Sequence, residues 1–479
     1  MSKVLLLHAE DKYTRGFVGA MPPLGLAYLA TALEREGLSV AILDRQIDTR
    51  LFEDVFDSQQ PEILGISCTT ATRFEAFRYA AEAKRRRPGT LVVLGGSHAT
   101  CTAEDTLRHL PQFDVIVRGE GELSFSAVAR RFLSGSRDFS GIPGVSFRHD
   151  GRLIHSPPAE RVFDLDTIGF PARHLLPNDL YKLENEFIGG RSYHVMASRG
   201  CPYQCTFCSA AEIWGRRITY RSPQHVVNEM VHLRDKFGAE GFRFMDALIT
   251  QRRKYIHDLC TEIVRRDVVL PWEAEVRADT IDEEILDWMR KAGCYYIDIG
   301  AESINPAVLK RMRKQITPEQ ITGVLQLAHK MGIKTKVFFT FGHIGETFDQ
   351  ALETLAFMRK NRRYVCRIGG SIGINIFPGT EVEKYARTIG SLPEDFSWSL
   401  PYEDKRNLVF STSPSVPILI QPQLGWREMY SLRRRHLFQK MKDPTILAAN
   451  FKRLKDPIAF RRLARIFTGV WRRSRARTN

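Results

Sequence analysis

The feature that most constrains this chain is a short loop with three cysteines in a C-x3-C-x2-C array. The three are Cys201, Cys205 and Cys208, all within residues 198–209. Thiolates from one short loop can each bind one iron of an iron–sulfur cube, as the cysteine runs of ferredoxins do. The next cysteine, Cys260, lies far downstream in a segment predicted as helix. The array therefore predicts a [4Fe–4S] cluster that keeps one iron open to a substrate.

Zinc and purely structural thiols are the alternatives to a cluster. Zinc sites usually pair two cysteine doublets or add histidines, and no second doublet occurs in the sequence. Gly200 and Pro202 indicate an exposed turn, where structural cysteines of a core strand are not expected. The cluster is therefore the favoured interpretation.

The array closely resembles the signature of the radical S-adenosylmethionine superfamily. In that family the open iron chelates the amino and carboxylate groups of S-adenosylmethionine, and an electron from the reduced cluster splits the sulfonium to give a 5′-deoxyadenosyl radical. The cofactor supplies the radical, while the protein supplies orientation and excludes water. The resemblance implies that the three cysteines are the cluster ligands on which catalysis depends.

Residues 1–138 alternate apolar runs with helical stretches. The runs predict strands, and the stretches between them include helices from Pro22 to Glu36 and from Arg73 to Arg87. The predicted strands are 4–8, 40–44, 63–67, 91–96 and 115–117. Continuous apolar strands alternating with helices predict a Rossmann-like, doubly wound parallel sheet, whose ligands lie beyond the carboxyl ends of the strands.

Small residues and glycines fill the loops at those strand ends, where they let backbone amides approach a large ligand. The loops resemble the cobalamin-binding domain that precedes the radical domain in cobalamin-dependent radical S-adenosylmethionine enzymes. A nucleotide-binding sheet is the alternative, but no G-x-G-x-x-G follows the first strand. The resemblance implies cobalamin contacts at Pro23, Leu24, Gly25, Ser67, Thr69, Gly95, Gly96, His98, Glu120 and Gly121.

The sequence departs from one cobalamin pattern. The D-x-H-x-x-G element that supplies a lower axial histidine in methionine-synthase-like proteins is absent, because Asp44 is followed by Arg45 and Gln46. We therefore expect no imidazole from this element on the lower face of cobalamin, which would favour the cobalt(I) and cobalt(II) states. His98 is a candidate ligand, with a structural loop histidine as the alternative. Cys68 is predicted to be a small loop residue.

The pattern changes after residue 138. Residues 139–188 predict a hairpin turned at Asp150-Gly151, followed by a proline-punctuated linker. Residues 189–388 again alternate strands and helices. The six strands are predicted at 193–197, 241–246, 272–277, 295–300, 336–341 and 373–377. This pattern predicts a partial, TIM-like (β/α)6 barrel with reactive groups at the carboxyl ends of its strands.

Three further segments at those strand ends resemble radical S-adenosylmethionine elements: 300–303, 342–347 and 376–380. The second strand departs from the family, because Met245-Asp246-Ala247 replaces its glycine-glycine-glutamate. Structural roles are the alternatives: an ion pair for Arg277, a brace for Glu302 and a helix cap for Asp246. The resemblance implies S-adenosylmethionine contacts at Phe207, Asp246, Arg277, Glu302, Ser303 and Phe377.

Residues 389–479 predict a small, mainly helical C-terminal region with basic amphipathic helices at 427–442 and 457–471. The net charge of +15 is concentrated in residues 451–479. Such a helix suits an anionic membrane surface, and a disordered tail is the alternative. Nucleic acid is disfavoured because no recognisable binding module accompanies the charge. Four aromatic residues, Trp398, Tyr402, Phe410 and Trp426, are expected to cover the open side of the barrel or to form satellite packing.

The N-terminus continues into a strand without a cleavage site, and no apolar run approaches the roughly 20 residues of a membrane-spanning helix. We therefore expect a cytoplasmic protein, with peripheral contact at the inner face of the membrane through the basic C-terminus. Eight cysteines without a small secreted scaffold agree with a reducing compartment.

The resemblance implies a methyltransferase that acts on an unactivated carbon. In such an enzyme the 5′-deoxyadenosyl radical removes hydrogen from the substrate, which then takes methyl from methylcobalamin. The alternative is an oxidative cyclase or rearrangement enzyme that acts on a tetrapyrrole, lipid or natural-product intermediate without methyl transfer. A non-enzymatic cobalamin sensor is disfavoured by the intact cysteine array. Expected partners are an amphiphilic small-molecule substrate and a flavodoxin or ferredoxin electron donor.

Overall fold

The computed structural model describes residues 3–11, 20–181, 190–411 and 413–441. These residues form two α/β units, an irregular connection between them and a C-terminal segment that packs on both units. The predicted basic helix at 457–471 lies outside the described residues. Within the described ranges no helix is long and apolar enough to cross a bilayer.

The first unit contains seven strands and five helices within the described residues. The elements are β1 (Val4–His8), α1 (Leu24–Arg35), β2 (Val40–Asp44), α2 (Phe52–Gln59), β3 (Ile63–Ser67), α3 (Arg73–Arg86), β4 (Leu91–Gly95), α4 (Ser97–His109), β5 (Val115–Val117), α5 (Glu122–Leu133), β6 (Val145–His149) and β7 (Arg152–His155). The strand order is β2-β1-β3-β4-β5-β6-β7. The first five strands are parallel and alternate with helices, which confirms the predicted doubly wound sheet.

The hairpin predicted ahead of the linker belongs to this sheet. β6 pairs antiparallel with β5, and β7 pairs antiparallel with β6. The sheet therefore extends to His155 instead of ending before residue 139. The physical reason is that pairing with β5 places Val145 and Phe147 in the apolar core on one face of the sheet, where both side chains are fully buried.

Apolar side chains project from both faces of the first sheet. In β1, for example, Leu5 and Leu7 enter the core on one face, while Val4 and Leu6 enter the core on the other. Continuous apolar strands of this kind are typical of parallel sheets that are covered by helices on both sides. A ligand can therefore reach this unit only at an edge of the sheet or at the strand ends.

The second unit is built around a six-stranded parallel sheet. Its elements are β8 (Ser192–Val195), β9 (Ser198–Arg199), α6 (Ala210–Trp214), β10 (Thr219–Tyr220), α7 (Pro223–Phe237), β11 (Gly241–Phe244), α8 (Arg253–Arg265), β12 (Trp272–Val276), α9 (Glu283–Lys291), β13 (Cys294–Glu302), α10 (Pro306–Arg311), α11 (Pro318–Lys330), β14 (Lys334–Phe341), α12 (Phe348–Lys360) and β15 (Arg367–Ile372). The order β8-β11-β12-β13-β14-β15 follows the chain, which confirms the partial (β/α)6 barrel.

The sixth barrel strand lies earlier than the sequence predicts. β15 spans Arg367–Ile372, whereas the prediction was 373–377. Gly373 has a φ of +99°, a conformation that suits glycine and turns the chain out of the strand. The predicted segment instead pairs with residues 417–419, where Ile376 N donates to Pro417 O at 2.8 Å.

The barrel strands alternate between a buried and an accessible face. In β14, Val337, Phe339 and Phe341 are buried beneath the outer helices, while the alternate residues Lys336, Phe338 and Thr340 remain partly accessible. The period of two is the natural side-chain alternation of a strand. Because the outer face carries the apolar residues, the inner face of the barrel is free to be polar.

The C-terminal segment contains α13 (Glu381–Thr388) and α14 (Trp426–Met441). The predicted helix at 427–442 is α14, whose Met429 and Leu432 are fully buried in the barrel core. Its Trp426 and Tyr430 pack around Phe410. Trp398 lies elsewhere, against the first unit, where its carbonyl oxygen accepts a hydrogen bond from Arg73 Nε at 2.9 Å.

Candidate active site

The three cysteines of the array lie in the loop between β9 and α6. All three are free thiols; Cys201 and Cys205 are partly buried, and Cys208 is exposed. The backbone holds the loop at both sides: Thr206 N donates to Met312 O, and Val382 N donates to Thr206 O, each at 3.1 Å. The middle of the loop is therefore anchored to the segments that contain Met312 and Val382.

The thiols lie close enough to influence one another electrostatically. Burial raises the pKa of Cys205 and of Cys208, and the neighbouring thiols raise it further. Yet no three His, Cys, Asp or Glu side chains in the described ranges converge on one metal ion. A [4Fe–4S] cube needs no such convergence on one ion, because each thiolate binds a different iron.

A second group of charged and aromatic side chains borders the loop. The Arg277 guanidinium lies 3.4 Å from the ring centre of Tyr203, pairs with Asp279 at 2.9 Å and donates to Lys314 O at 2.6 Å. The structural ion pair considered for Arg277 is thus present. Because Tyr203 lies between Cys201 and Cys205, Arg277 also supports the loop itself.

Glu302 lies at the end of β13, close to the same group. It adopts a φ of +65°, which is uncommon for a residue other than glycine. Its carboxylate lies 3.4 Å from Lys314 Nζ and accepts a hydrogen bond from Thr340 Oγ1 at 3.0 Å. Ser303 is fully buried, and its hydroxyl contacts Thr354 of α12 at 3.3 Å. The structure therefore brings Glu302, but not the Ser303 hydroxyl, towards the barrel mouth.

Asp246 supports the strand that leads into the cysteine loop. Its carboxylate accepts hydrogen bonds from Ala197 N at 3.1 Å and from Ser198 Oγ at 2.5 Å. Burial raises the pKa of Asp246 to about 6, although these hydrogen bonds lower it. The helix cap considered for Asp246 is not what the structure shows; the side chain braces residues 197–198.

Phe207 and the segment 342–347 meet at another side of the loop. The Phe207 ring contacts the His343 ring edge-on, with 5.2 Å between centroids. His343 is fully buried, and burial lowers its pKa to about 3. Burial also raises the pKa of Glu346 to about 7, although its carboxylate accepts hydrogen bonds from Gly342 N and His343 N. Phe377 follows β15 and its carbonyl accepts from Thr380 Oγ1 at 2.7 Å.

The inside of the barrel carries paired charges. Arg243 contacts Glu273 at 3.2 Å and Asp298 at 3.3 Å, and Lys336 Nζ lies 3.7 Å from Asp298. Glu275 projects from β12 with an exposed side chain, and the surrounding protein raises its pKa, chiefly by desolvation. The barrel interior is therefore an accessible, strongly polar space below the cysteine loop.

Comparison with known proteins identifies both units. A model of the B12 binding domain matches residues 13–129, and a model of the radical SAM superfamily matches residues 195–358. The chain is also 34% identical over 364 residues to the uncharacterized methyltransferase PH0819 of Pyrococcus horikoshii, covering 75% of this chain and 78% of the relative. The chain belongs to the cobalamin-dependent radical S-adenosylmethionine enzymes.

Other relatives differ in the reactions that their names give. The anaerobic magnesium-protoporphyrin IX monomethyl ester cyclase of Rubrivivax gelatinosus is 30% identical, over 74% of this chain and 65% of its own length. The hopanoid C-3 methylase of Methylococcus capsulatus is 26% identical, over 70% and 64%.

Two solved structures share the fold of this radical S-adenosylmethionine enzyme. The methyltransferase TsrM of Kitasatospora setae matches with a TM-score of 0.67 and 24% identity, over 80% of this chain and 76% of its own. The cobalamin-dependent enzyme OxsB matches with a TM-score of 0.65 and 21% identity, over 81% and 55%. At this level of identity, these matches establish the shared architecture.

The cofactors of this enzyme are a [4Fe–4S] cluster, S-adenosylmethionine and cobalamin. On the cobalamin side, the parallel order β2-β1-β3-β4-β5 places a crevice between β1 and β3, where the direction of winding reverses. Ser67 and Gly95 are paired at the ends of β3 and β4, and Thr69 is exposed just beyond. These predicted residues do meet at one edge of the sheet.

Gly96 gives this edge the form of a cradle. It has a φ of +95°, and a Cβ placed there would lie 2.6 Å from Cys68 O. Only glycine fits, because the turn after β4 passes directly against the backbone of Cys68. The edge and the free thiols thus fit the two resident cofactors. Pro23, Leu24 and Gly25 form the N-terminal start of α1, with Pro23 as its N-cap.

His98 lies in the first turn of α4 instead of the loop before it. The side chain is fully buried, its Nδ1 lies 3.2 Å from Thr70 Oγ1, and its ring packs against Phe77 and Trp398. Burial, followed by the charge of Arg73, holds the pKa of His98 well below its usual range. The imidazole is therefore neutral, and its role as a ligand remains a prediction.

Glu120 and Gly121 begin the turn into α5, and Glu120 contacts the other unit of the enzyme. Its carboxylate lies 3.2 Å from Arg199 Nη1. Gly121 packs closely, since a Cβ there would lie 3.1 Å from Leu29. This contact thus joins a predicted cobalamin loop to Arg199, which lies two positions before the first cysteine of the array.

Sequence reasoning missed several residues of the site: Arg73, Arg199, Tyr203, Lys314 and Thr340. Arg199 and Tyr203 lie within residues 198–209, so their positions next to the cysteines in the sequence could have identified them. Lys314 and Thr340 carry no local signal, because their contacts with Glu302 span 12 and 38 positions.

Proposed function

We propose that the protein is a C-methyltransferase that adds a methyl group to an unactivated carbon of a small-molecule substrate. The observation that carries this proposal is the direct contact between the cysteine loop and the cobalamin-side loop 118–122. This contact supports a single substrate space shared by two cofactors. The methyltransferase names of several relatives support the same reaction.

Bound cobalamin would carry the methyl group, and S-adenosylmethionine bound at the cluster would provide the radical that activates the substrate carbon. The chain's own residues position these groups. Cys201, Cys205 and Cys208 would hold the cluster. Glu302, with Lys314 and Thr340 fixing its carboxylate, would orient the ribose or methionine part of S-adenosylmethionine, and the helices around the barrel would exclude water.

We also propose that part of the substrate is polar. The charged inner face of the barrel, with Arg243, Glu275 and Lys336 accessible to a ligand, would not favour a wholly apolar molecule. An amphiphilic substrate would place its polar part there. The hopanoid methylase and the tetrapyrrole cyclase among the relatives are named for large, largely apolar substrates, which supports an apolar remainder.

The second candidate is a cyclase or rearrangement enzyme that uses the same cofactors without methyl transfer. The observation in its favour is the 30% identity with the Rubrivivax gelatinosus cyclase. That identity is close to the 34% found with the Pyrococcus horikoshii methyltransferase. The two candidates differ in one product that can be measured before the substrate is identified.

The test is to incubate the enzyme, loaded anaerobically with cluster and reduced cobalamin, with S-adenosylmethionine alone. A methyltransferase should form about one S-adenosylhomocysteine per bound cobalamin in this half-reaction. Formation of 5′-deoxyadenosine without S-adenosylhomocysteine would reject methyl transfer and favour the cyclase. Protein loaded with the cluster but without cobalamin is the matched control.

Two remaining proposals concern surroundings and partners. We propose a flavodoxin or ferredoxin as the electron donor, because radical generation at the cluster requires a low-potential electron. We also propose a cytoplasmic location, with peripheral membrane contact through the basic C-terminal residues 451–479, which include the helix predicted at 457–471. Flotation of the full chain with anionic vesicles would test that contact, and recovery wholly in the unbound fraction would reject it.

A further inference from the structure

A buried charge bridge links the two halves of the active site. The Arg199 guanidinium lies 3.2 Å from Glu120 and 2.6 Å from Glu122, and the three side chains are only 3, 7 and 9% exposed. In the first unit, Glu120 lies in the loop before α5 and Glu122 is the first residue of that helix, whereas Arg199 ends β9 in the second unit. The bridge is the charged contact that connects the loop after β5 with the base of the cysteine loop.

Other side chains enclose the bridge. The rings of Tyr28 and Trp214 each lie 5.4 Å from the Arg199 guanidinium carbon. Arg161 approaches Glu120 at 3.6 Å and also donates to the carbonyl oxygens of Arg199 and Arg217. Water is therefore excluded from Arg199, whose charge depends on the two glutamates for compensation.

Such an arrangement is stable only when both loops are in place. Taking charges out of water is costly, and a charge left without its partner in the interior is strongly destabilising. A displacement of the cysteine loop would therefore destabilise the loop that carries Glu120 and Glu122, and the reverse also holds. Mutual dependence of two binding loops is the physical basis of coupling between their ligands.

The connection from Arg199 to the first cysteine is short and constrained. Gly200 alone separates Arg199 from Cys201, and it has a φ of +102°. A Cβ at Gly200 would lie 2.4 Å from Arg217 O, so the backbone has no room to rearrange between them. The position of Arg199 thus determines where Cys201 emerges.

We infer that Arg199 is a positioning residue that couples cluster binding to cobalamin binding through Glu120 and Glu122. The inference rests on the proposed location of cobalamin at the strand ends of the first unit. Cluster assembly would fix the cysteine loop, place Arg199 and thereby order the cobalamin loop. By reciprocity, cobalamin would stabilise the cluster by the same factor.

The test measures hydroxocobalamin affinity by anaerobic equilibrium dialysis, with full-length protein that either carries the cluster or has been stripped of iron by a chelator. For the wild type we expect at least about 5-fold tighter binding when the cluster is present, the lower end of typical allosteric coupling. In Arg199→Met and in Glu122→Gln this ratio should fall below about 2-fold. Glu122→Gln keeps a hydrogen-bond acceptor beside Arg199, so it also serves if Arg199→Met fails to fold.

Asp105→Asn provides the matched control. Asp105 of α4 accepts hydrogen bonds from Ser397 Oγ at 2.8 Å and Ser399 Oγ at 2.7 Å, and so joins the first unit to the C-terminal segment through contacts that do not involve Arg199, Glu120 or Glu122. This variant should keep the wild-type ratio even if both affinities fall. Equal affinities in the two wild-type forms, an unchanged ratio in both bridge variants, or a ratio lost equally in Asp105→Asn would each overturn the inference. Because the assay contains neither S-adenosylmethionine nor substrate, its outcome is independent of whether the enzyme transfers methyl groups.

Discussion

The two sheets of this enzyme use the same parallel strands in different ways. The first sheet buries apolar residues on both faces, as β4 shows with Leu91, Val92, Val93 and Leu94 all buried. The barrel sheet packs apolar residues on its outer face and carries charged side chains such as Arg243, Asp298 and Lys336 on its inner face. The first sheet therefore binds ligands only at its strand ends, whereas the barrel offers both its rim and its interior.

This difference separates the roles of the two halves. The cobalamin side consists of the strand ends after β3 and β4, which carry small residues and the glycine turn at Gly96. It lies above a core of apolar side chains. The cluster side is a rim supported by an accessible polar interior, where a substrate can lie next to the radical. Substrate selectivity should therefore reside in the barrel.

The largest expected effect is at the cysteine loop. Cys201→Ala should remove the cluster and abolish reductive cleavage of S-adenosylmethionine, because two thiolates cannot hold the cube. The fold should persist, since the loop lies outside the apolar cores. Iron and sulfide analysis with circular dichroism measures both effects. Cys260→Ala, which changes a buried thiol within α8, should retain the cluster; a wild-type iron content in Cys201→Ala would contradict the assignment.

The contrast between the sheets predicts a position-dependent effect on the free energy of unfolding. Val92→Gln and Val93→Gln, on opposite faces of β4, should each cost about 3–5 kcal/mol because a polar amide is buried without partners. In β14, Val337→Gln should cost as much, but Phe338→Gln only about 1 kcal/mol, since that side chain faces the accessible interior. Urea unfolding of the four variants measures this, and equal costs at Val337 and Phe338 would refute a polar barrel interior.

The raised pKa of Glu346, at the barrel rim, predicts that the free energy of unfolding depends on pH. Burial raises the pKa of its carboxyl from 4.5 to about 7 in the folded protein, so the native state binds this proton more tightly than the unfolded state. Its contribution to stability is full below pH 4.5 and is lost as the pH rises to 7, a change of about 3 kcal/mol at 1.4 kcal/mol per pH unit.

Glu346→Gln removes this titration. Its stability relative to wild type should therefore increase between pH 5 and pH 8, as urea unfolding across that range would measure. Glu319→Gln, at an exposed position in the first turn of α11, should show no such trend. A constant difference between Glu346→Gln and wild type over the range would contradict a raised pKa.

The smallest effect is expected at the cobalamin edge. Gly96→Ala should cost about 2 kcal/mol, because the φ of +95° and ψ of −177° belong to a region that is essentially restricted to glycine. The altered cradle should also weaken hydroxocobalamin binding in equilibrium dialysis. Gly323→Ala in α11, where a Cβ would meet nothing within 4 Å, should instead stabilise the protein slightly. Full cobalamin affinity in Gly96→Ala would remove Gly96 from the site.

The cysteine loop and the first sheet were predictable for different reasons. The three thiols are close together along the chain, so their spacing alone predicts a cluster site. The sheet follows from apolar runs that alternate with helices, and its ligand edge follows from general rules of winding. Neither inference needed a contact between distant residues, and both architectures are confirmed.

The predictions that the structure corrects all involve contacts between residues that are far apart in the sequence. The hairpin at 145–155 looks the same locally whether it pairs with β5 or stands in a linker. Asp246 looks like a ligand or a cap until its hydrogen bonds with Ala197 and Ser198, which are 49 and 48 positions away, are known. The sixth strand was displaced because residues 374–376 are as apolar as a strand but bind to residues 417–419 instead.

Residue type and local spacing were enough to predict the order of the two units and the class of cofactors, both of which are confirmed, and they predict Cys201, Cys205 and Cys208 as the cluster ligands. Only the tertiary structure decided that Arg199 bridges to Glu120 and Glu122, that His98 is buried and neutral, and that the barrel interior is charged. The physical reason is that the energy of a buried charge depends on which partners surround it. Those partners are brought together by packing between segments far apart in the chain.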